Sequence, residues 1–350
     1  MKWEENVRKV IPYVPGEQPK KADIVKLNTN ECPYPPSPMI QKAMEAFPYE
    51  NLRRYPDPQA TRLVTALADN YGLEPENVFV GVGSDDVLAM AFLTFFNSEK
   101  KILFPDITYS FYDVWADLFR IPYKCKPLDE EFRIRKEDYF EENGGVIFPN
   151  PNAPTGVEES VDMIEEIIRK NQDVVVIIDE AYIDFGGKSV LPLIHKYENL
   201  LVVQTFSKSR ALAGIRIGYA FGSKKLIKYL NDAKFSFNSY TMNTATIEVG
   251  CACLQDKAYF QETVEKIIAT RERVKQELTE LGFVFPDSKA NFVFAKHKTA
   301  KAKDIFEAAK QEGIYVRYFN KPRIDDYLRI SIGTDEEMDR LLSFLKRYLG

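Results

Sequence analysis

A chain of 350 residues is long enough for a large buried core and for two domains. Its 45% hydrophobic share matches an ordinary water-soluble globular protein. The formal charge of -5 excludes the broad basic surface that non-specific nucleic-acid binding needs. The opening Met-Lys-Trp-Glu-Glu-Asn lacks the apolar core of a signal peptide, and the longest nearly continuous apolar run, 87–96, falls far short of the roughly 20 residues that span a bilayer. A cytoplasmic protein is expected. Cys32, Cys125, Cys251 and Cys253 do not form a disulfide framework, and neither His195 nor His297 sits at ligand spacing from a cysteine. Cys251-Ala-Cys253 is therefore read as buried thiols in an apolar helix, with no metal.

Residues 12–38 are proline-rich and irregular, and they carry Tyr13, Asn28, Asn30 and Tyr34. They read as an ordered arm. From about residue 60, short apolar strands alternate with helical stretches: Val78-Phe-Val-Gly, Lys101-Ile-Leu-Phe, Gly145-Val-Ile-Phe, Val174-Val-Val-Ile-Ile and Leu200-Leu-Val-Val-Gln. Continuous apolar strands belong to a sheet covered on both faces, and the spacing fits βαβ units in a mostly parallel sheet. Segment 84–97 is helical and apolar nearly all round, which places it inside a large domain. Beyond Gly222 a helical region, broken near 236–241, runs to about Leu281. The tail turns to α+β, with strands at 283–285, 291–295, 314–317 and 327–332, a helix at 302–312 and a last helix from Glu336. The expected division is an N-terminal arm (1–40), a large α/β domain (41–254) and a smaller α+β domain (255–350).

The residues that carry chemistry lie at the strand ends. Asp179 closes a run of branched apolar residues, at the sheet edge where α/β proteins bind ligands. A carboxylate there needs a cation or several donors, and a protonated pyridine nitrogen is one such partner. Tyr182, three residues on, is placed to donate to a phenolic oxygen on that ring. A strand-end aspartate that caps a turn is the other reading. Lys208 follows the next strand, flanked by Thr205 and Ser207, with Arg216 and glycines downstream. A lysine so placed suits a Schiff base, and the hydroxyls and arginine suit a phosphate, although an exposed structural lysine fits the single residue too. Gly81-Val-Gly83-Ser84-Asp85-Asp86 opens the buried helix. It lacks the third glycine of a dinucleotide fingerprint, so its backbone N–H groups suit one phosphate, or Ser84 is a plain N-cap. Asn150-Pro-Asn152-Ala-Pro-Thr-Gly follows a strand, and its prolines can fix an asparagine amide against a ligand.

Together these segments resemble the pyridoxal 5'-phosphate-dependent aminotransferases of fold type I, and within them the histidinol-phosphate aminotransferase family. The resemblance covers nearly the whole chain. It runs from Leu27-Asn-Thr-Asn30-Glu31 and Arg54-Tyr55-Pro-Asp through the glycine loop, Thr108-Tyr109, Asn150-Pro-Asn152 and Asp179-Glu-Ala-Tyr182. It ends with Ser207-Lys208, Arg216, Arg317 and Leu328-Arg329-Ile-Ser-Ile-Gly-Thr. The resemblance implies that Lys208 carries the cofactor, that Asp179 faces the pyridinium nitrogen, and that Tyr182 and Asn152 contact the phenolic oxygen, with Tyr109 on the ring face. It implies a phosphate cup of Gly83, Ser84, Asp85, Thr205, Ser207 and Arg216, reached by Tyr55 from the other subunit of a homodimer. Arg329 would hold a substrate carboxylate, unless it pairs with an acid. Arg317 and Tyr13 would take the substrate's phosphate or distal carboxylate, and Asn30 of the arm would line the same space. The family often has Asn-Glu-Asn-Pro where this chain has Asn30-Glu31-Cys32-Pro33, and a thiol cannot replace an amide's two donors, which bears on substrate preference.

The activity implied is transamination of L-histidinol phosphate with 2-oxoglutarate in histidine biosynthesis, with small-molecule substrates and no nucleic acid or membrane partner. Two rivals share the scaffold: an aromatic amino acid aminotransferase, and a pyridoxal-phosphate decarboxylase acting on a phosphorylated amino acid. A PLP-binding regulator is disfavoured, because no helix-turn-helix segment precedes the arm.

Overall fold

The computed structural model describes residues 2–19 and 23–350. The arm carries a short strand, β1 (Val25–Lys26). The large sheet follows with β2 (Val78–Gly81), β3 (Ile102–Pro105), β4 (Tyr123–Lys126), β5 (Val146–Pro149), β6 (Val176–Asp179), β7 (Leu200–Thr205) and β8 (Gly218–Gly222). Its spatial order is β2-β8-β7-β6-β5-β3-β4, and only β8 runs against the others. The fold is α/β with a mostly parallel central sheet, as the uninterrupted apolar strands require.

Both faces are covered, by α2 (Thr61–Tyr71), α3 (Ser84–Phe95), α4 (Tyr112–Phe119), α5 (Val161–Lys170), α6 (Lys224–Phe237) and α7 (Thr244–Gln255), while α1 (Pro38–Glu45) packs on α7. Strand residues alternate between two cores. Val176, Ile178 and Val202 pack with α2, α5 and α7; Ile177, Val203 and Ala220 pack with α3, α4 and α6. This period of two sends Asp179 to the α3–α4 side and Glu180 to the opposite side. Each fully buried aliphatic side chain contributes about 1.5–3 kcal/mol, so these strands anchor whatever their ends present.

The smaller unit holds α8 (Lys257–Glu280), β9 (Phe283–Val284), β10 (Phe292–His297), α9 (Ala302–Gln311), β11 (Ile314–Tyr315), β12 (Arg317–Tyr318), β13 (Leu328–Ser331) and α10 (Asp335–Leu349). Its antiparallel sheet has the order β12-β13-β10-β9. Thr334 and Glu337 close a reciprocal capping box at the start of α10.

Three features depart from the sequence reading. The 314–317 strand is split: β11 pairs parallel with β1 of the arm, and β12 pairs with β13. The arm is thus stitched into the smaller unit, with Val25 and Leu27 buried in its core. Strand β8 falls in a glycine-rich stretch read only as a phosphate loop. Edge strand β4 is largely exposed and carries Lys124 and Lys126, so it shows no apolar run.

Candidate active site

The carboxyl ends of β5, β6 and β7 meet the arm and the small sheet. Asp179 is 4% exposed. Its Oδ2 accepts from the Tyr112 hydroxyl at 3.0 Å and its Oδ1 from the Ala181 N–H at 3.2 Å. Burial pushes its carboxyl up to about 6, against the pull of these hydrogen bonds. Tyr182 is buried, packs edge-on to Phe292, and its hydroxyl accepts from Asn30 Nδ2 at 2.9 Å. Asn30 is held in the left-handed region at φ 55°. Ser331 Oγ accepts from its N–H and donates to its Oδ1. The Lys208 ammonium lies 5.6 Å from the centre of the Tyr182 ring and donates to the Thr29 carbonyl at 3.3 Å.

A second group of residues gathers around the turn at Gly83. Gly83 has φ 87°, and a Cβ there would come within 2.3 Å of an Arg216 guanidinium nitrogen. Gly218 is equally constrained, because a Cβ would lie 2.2 Å from the Gly83 carbonyl carbon and the Ser84 nitrogen. These two glycines let the turn rest on β8 and press against Arg216. Arg216 pairs with Asp85 at 3.1 Å and donates to Ser207 Oγ at 3.4 Å. Thr205 Oγ1 donates to the Ile217 carbonyl and accepts from the Ser207 N–H. Gly83 itself occupies the N-cap of α3 with no side-chain cap, so Ser84 is the first helical residue rather than the cap.

Tyr109 donates to Asp85 at 2.6 Å, and burial together with that carboxylate holds its phenol well above the usual range. Asn152 accepts from Thr108 Oγ1, while its amide hydrogens go to the Ile107 carbonyl and Thr155 Oγ1.

The small sheet supplies the facing wall. Arg317 and Arg329 are register partners on β12 and β13. Neither forms an ion pair with an acid among the described residues. Arg329 lies between the Phe292 and Phe319 rings, donates to the Asn28 carbonyl at 2.9 Å, and has an Nε without a partner. Burial, with Arg317 adding like charge, lowers its guanidinium below the ordinary value. The alternative of an acid-paired strand arginine does not hold for Arg329. Tyr13 stacks on Phe111 at 4.1 Å, and Gly16 of the arm lies against Arg317.

Tyr55 stands apart. It is 83% exposed and its ring touches Tyr240, so it does not join these groups in its own chain. Sequence reasoning gave no role to Tyr112 or Thr29 and placed Asn28 only on the arm, because their contacts to Asp179, Lys208 and Arg329 are long-range. Cys32 is half-buried, and burial pushes its thiol up to about 11. Cys251 and Cys253 are buried in α7 and all four cysteines are free.

A strand-end lysine, a buried carboxylate and a helix-terminus cup at one sheet edge are the groundwork of an amino-transferring enzyme. The chain belongs to the aminotransferase class I and II family, whose sequence model matches residues 22–345. It is 54% identical over 349 residues to the histidinol-phosphate aminotransferase of Lactococcus lactis subsp. cremoris, a match spanning 100% of this chain and 98% of that relative. Within the class it belongs with the histidinol-phosphate aminotransferases, and it is a transaminase. In structure it is similar to a histidinol-phosphate aminotransferase from Sinorhizobium meliloti in complex with pyridoxal-5'-phosphate, with TM-score 0.84 and 23% identity, covering 93% of this chain and 91% of that one. The fold alone is shared more widely. An L-threonine-O-3-phosphate decarboxylase from Porphyromonas gingivalis matches with TM-score 0.80 and 19% identity over 93% of this chain and 99% of its own.

Class I and II aminotransferases depend on pyridoxal 5'-phosphate, and that is the cofactor of this chain. The donor set fits it. A desolvated carboxylate suits a pyridinium, helix-terminal amides with Arg216 and two hydroxyls suit a phosphate, and a lysine amine suits an aldehyde.

Proposed function

We propose that the protein exchanges an amino group between L-histidinol phosphate and 2-oxoglutarate, reversibly, as a step of histidine biosynthesis. The carrying observation is the pair of guanidinium groups of Arg317 and Arg329, in register and without an acid among the described residues. Such a pair calls for a ligand with a strong anionic group, and arginine forks accept a phosphate or a carboxylate. Arg329 takes the carboxylate of glutamate, and Arg317 with Tyr13 takes the phosphate or the distal carboxylate. Asn30 lines this space from the arm.

On the cofactor side, Lys208 would hold the aldehyde, Asp179 would keep the pyridine nitrogen protonated, and Tyr182 and Asn152 would contact the phenolic oxygen. Tyr109 would pack against the ring, and Gly83, Ser84, Asp85, Thr205, Ser207 and Arg216 would hold the phosphate. The bound cofactor supplies an electron sink for the substrate carbon. The Lys208 amine would serve as the base that moves the proton of that carbon, while the two arginines would keep the substrate from turning.

The working unit is a homodimer in which Tyr55 serves the opposite chain, consistent with its exposure and that of the apolar side chains Tyr49, Leu52 and Phe237. The arm, a large domain over 41–254 and a small one over 255–350 are its parts. A cytoplasmic location completes the proposal; no helix among the described residues is long and apolar enough to cross a membrane.

The test is a comparison of specificity constants for histidinol phosphate, histidinol, tyrosine and phenylalanine with 2-oxoglutarate, at fixed salt. Histidinol phosphate should lead, and loss of its phosphate should cost about one to two powers of ten, the worth of a charge-assisted hydrogen bond. A lead for either aromatic amino acid replaces the proposal with the aromatic reading. Carbon dioxide release from a phosphorylated amino acid replaces it with the decarboxylase.

A further inference from the structure

We infer that Tyr112 is a positioning residue for the cofactor: its phenol fixes the orientation and the charge of Asp179. The inference rests on the reading that Asp179 faces the pyridine nitrogen. Tyr112 opens α4 and is fully buried. Phe104 and Tyr109 meet its ring edge-on, and Phe92 and Trp115 lie tilted against it. In that shell of rings its hydroxyl has one hydrogen-bond partner among the described residues, Asp179 Oδ2 at 3.0 Å.

The geometry makes the phenol a donor only. Burial, followed by the charge of Asp179, holds Tyr112 well above the usual phenol range, so its proton stays on. The carboxylate is pinned from two sides, by the phenol on Oδ2 and by the Ala181 N–H on Oδ1. No other hydrogen-bond donor reaches it among the described residues. The other ionisable groups that act on Asp179 are Asp85 and Lys208, and Tyr109 and Tyr182 act on Tyr112. Lys208, the one cation, already donates to Thr29. Tyr112 is therefore the side chain that most opposes the effect of burial on Asp179, ahead of the more distant charge of Lys208, and a neutral Asp179 would attract a pyridinium less.

The loop before α4 supports this role. Thr108 reaches Asn152, Tyr109 reaches Asp85, and Tyr112 reaches Asp179, so one short segment braces three groups on the cofactor side.

Removing the hydroxyl as Tyr112→Phe keeps the ring and its packing. The dissociation constant of pyridoxal phosphate would be measured for the full-length enzyme across about pH 6 to 9, by absorbance of the bound cofactor, in the wild type, Tyr112→Phe, Asp179→Asn and the double variant. Loss of a hydrogen bond to a charged group should weaken cofactor binding about tenfold to a hundredfold and move the acid limb of the affinity profile to higher pH. In the Asp179→Asn background the same change should cost less than about threefold, because the charge it acts on is gone. Fluorotyrosine at position 112 fills nearly the same space and donates more strongly, so it should move the acid limb the other way and keeps the test open if Tyr112→Phe does not fold. Equal losses in both backgrounds, an unmoved profile, or no response to fluorotyrosine overturns the inference. An Asp179→Asn enzyme that binds the cofactor as tightly as the wild type overturns the reading of Asp179 itself.

Discussion

The two walls of the site treat charge in opposite ways. On the large sheet, Arg216 is balanced by Asp85, and Asp179 is hydrogen-bonded from both sides. On the small sheet, Arg317 and Arg329 face each other with no acid among the described residues, and Arg329 leaves an Nε unsatisfied. The first wall is largely complete before anything binds. The second is finished only by an anion, since a half-buried guanidinium with an unpartnered Nε is better satisfied once it finds one. A resident cofactor suits the first arrangement, and substrates that alternate suit the second.

The largest effect should come from the wall that does the chemistry. Lys208→Ala removes both the attachment point and the base, and turnover should fall by at least about 10²–10⁴-fold. Borohydride reduction of the wild type should fix the cofactor to the Lys208 peptide. Attachment at another lysine would break the division between the walls.

The middle effect separates the walls directly. Arg329→Ala should lower the specificity constant for glutamate and for histidinol phosphate about tenfold to a hundredfold while leaving cofactor affinity unchanged. It should not lower the melting temperature, because it removes an uncompensated charge. Arg216→Ala should do the reverse, weakening cofactor retention and leaving Asp85 without its ion-pair partner. If Arg329→Ala loses cofactor, or Arg216→Ala keeps it, the contrast fails.

Much of the fold was legible because its signals are local. Strands β2, β3, β5, β6 and β7 are unbroken apolar runs, and the turn residues around Asn150 and Gly83 punctuate them. Strand β8 was hidden because glycines that let it approach Gly83 also remove the apolar pattern. The candidate residues Asp179 and Lys208 were visible for the same local reason, each ending such a run. Tyr112 was not, since its partner is 67 positions away. The carbonyls of Thr29 and Asn28, bonded to Lys208 and Arg329 across 179 and 301 positions, leave no side-chain signature at all. Tertiary contacts bring the arm to them, through the β1–β11 pairing and the hydrogen bonds of Leu27 and Asn30 to Ser331.

The smallest effect concerns two adjacent carboxyls that differ as the walls do. Asp179 faces the site, while Glu180 is sealed on the other face, accepting from Ser189, the Val190 N–H and Gln204. Burial raises Asp179 to about 6 and Glu180 to about 7, from ordinary values of 3.8 and 4.5. An acid raised on folding holds its proton more tightly in the folded chain. Its contribution to stability is complete below the unfolded value and is lost as pH rises through the folded value. The cofactor-free protein should therefore lose stability from about pH 4 to about pH 7 through these two groups, by up to on the order of ten degrees in melting temperature. Asp179→Asn should flatten the lower part of that slope, up to about 6, and Glu180→Gln the upper part, up to about 7. Saturation with pyridoxal phosphate sets a cation against Asp179 and should erase its share while sparing that of Glu180. Melting curves at several pH values, with and without cofactor, decide it. If cofactor flattens the Glu180 part equally, the two carboxyls are coupled through the strand, and the site is less insulated from its supporting core than the hydrogen bonds of Glu180 imply.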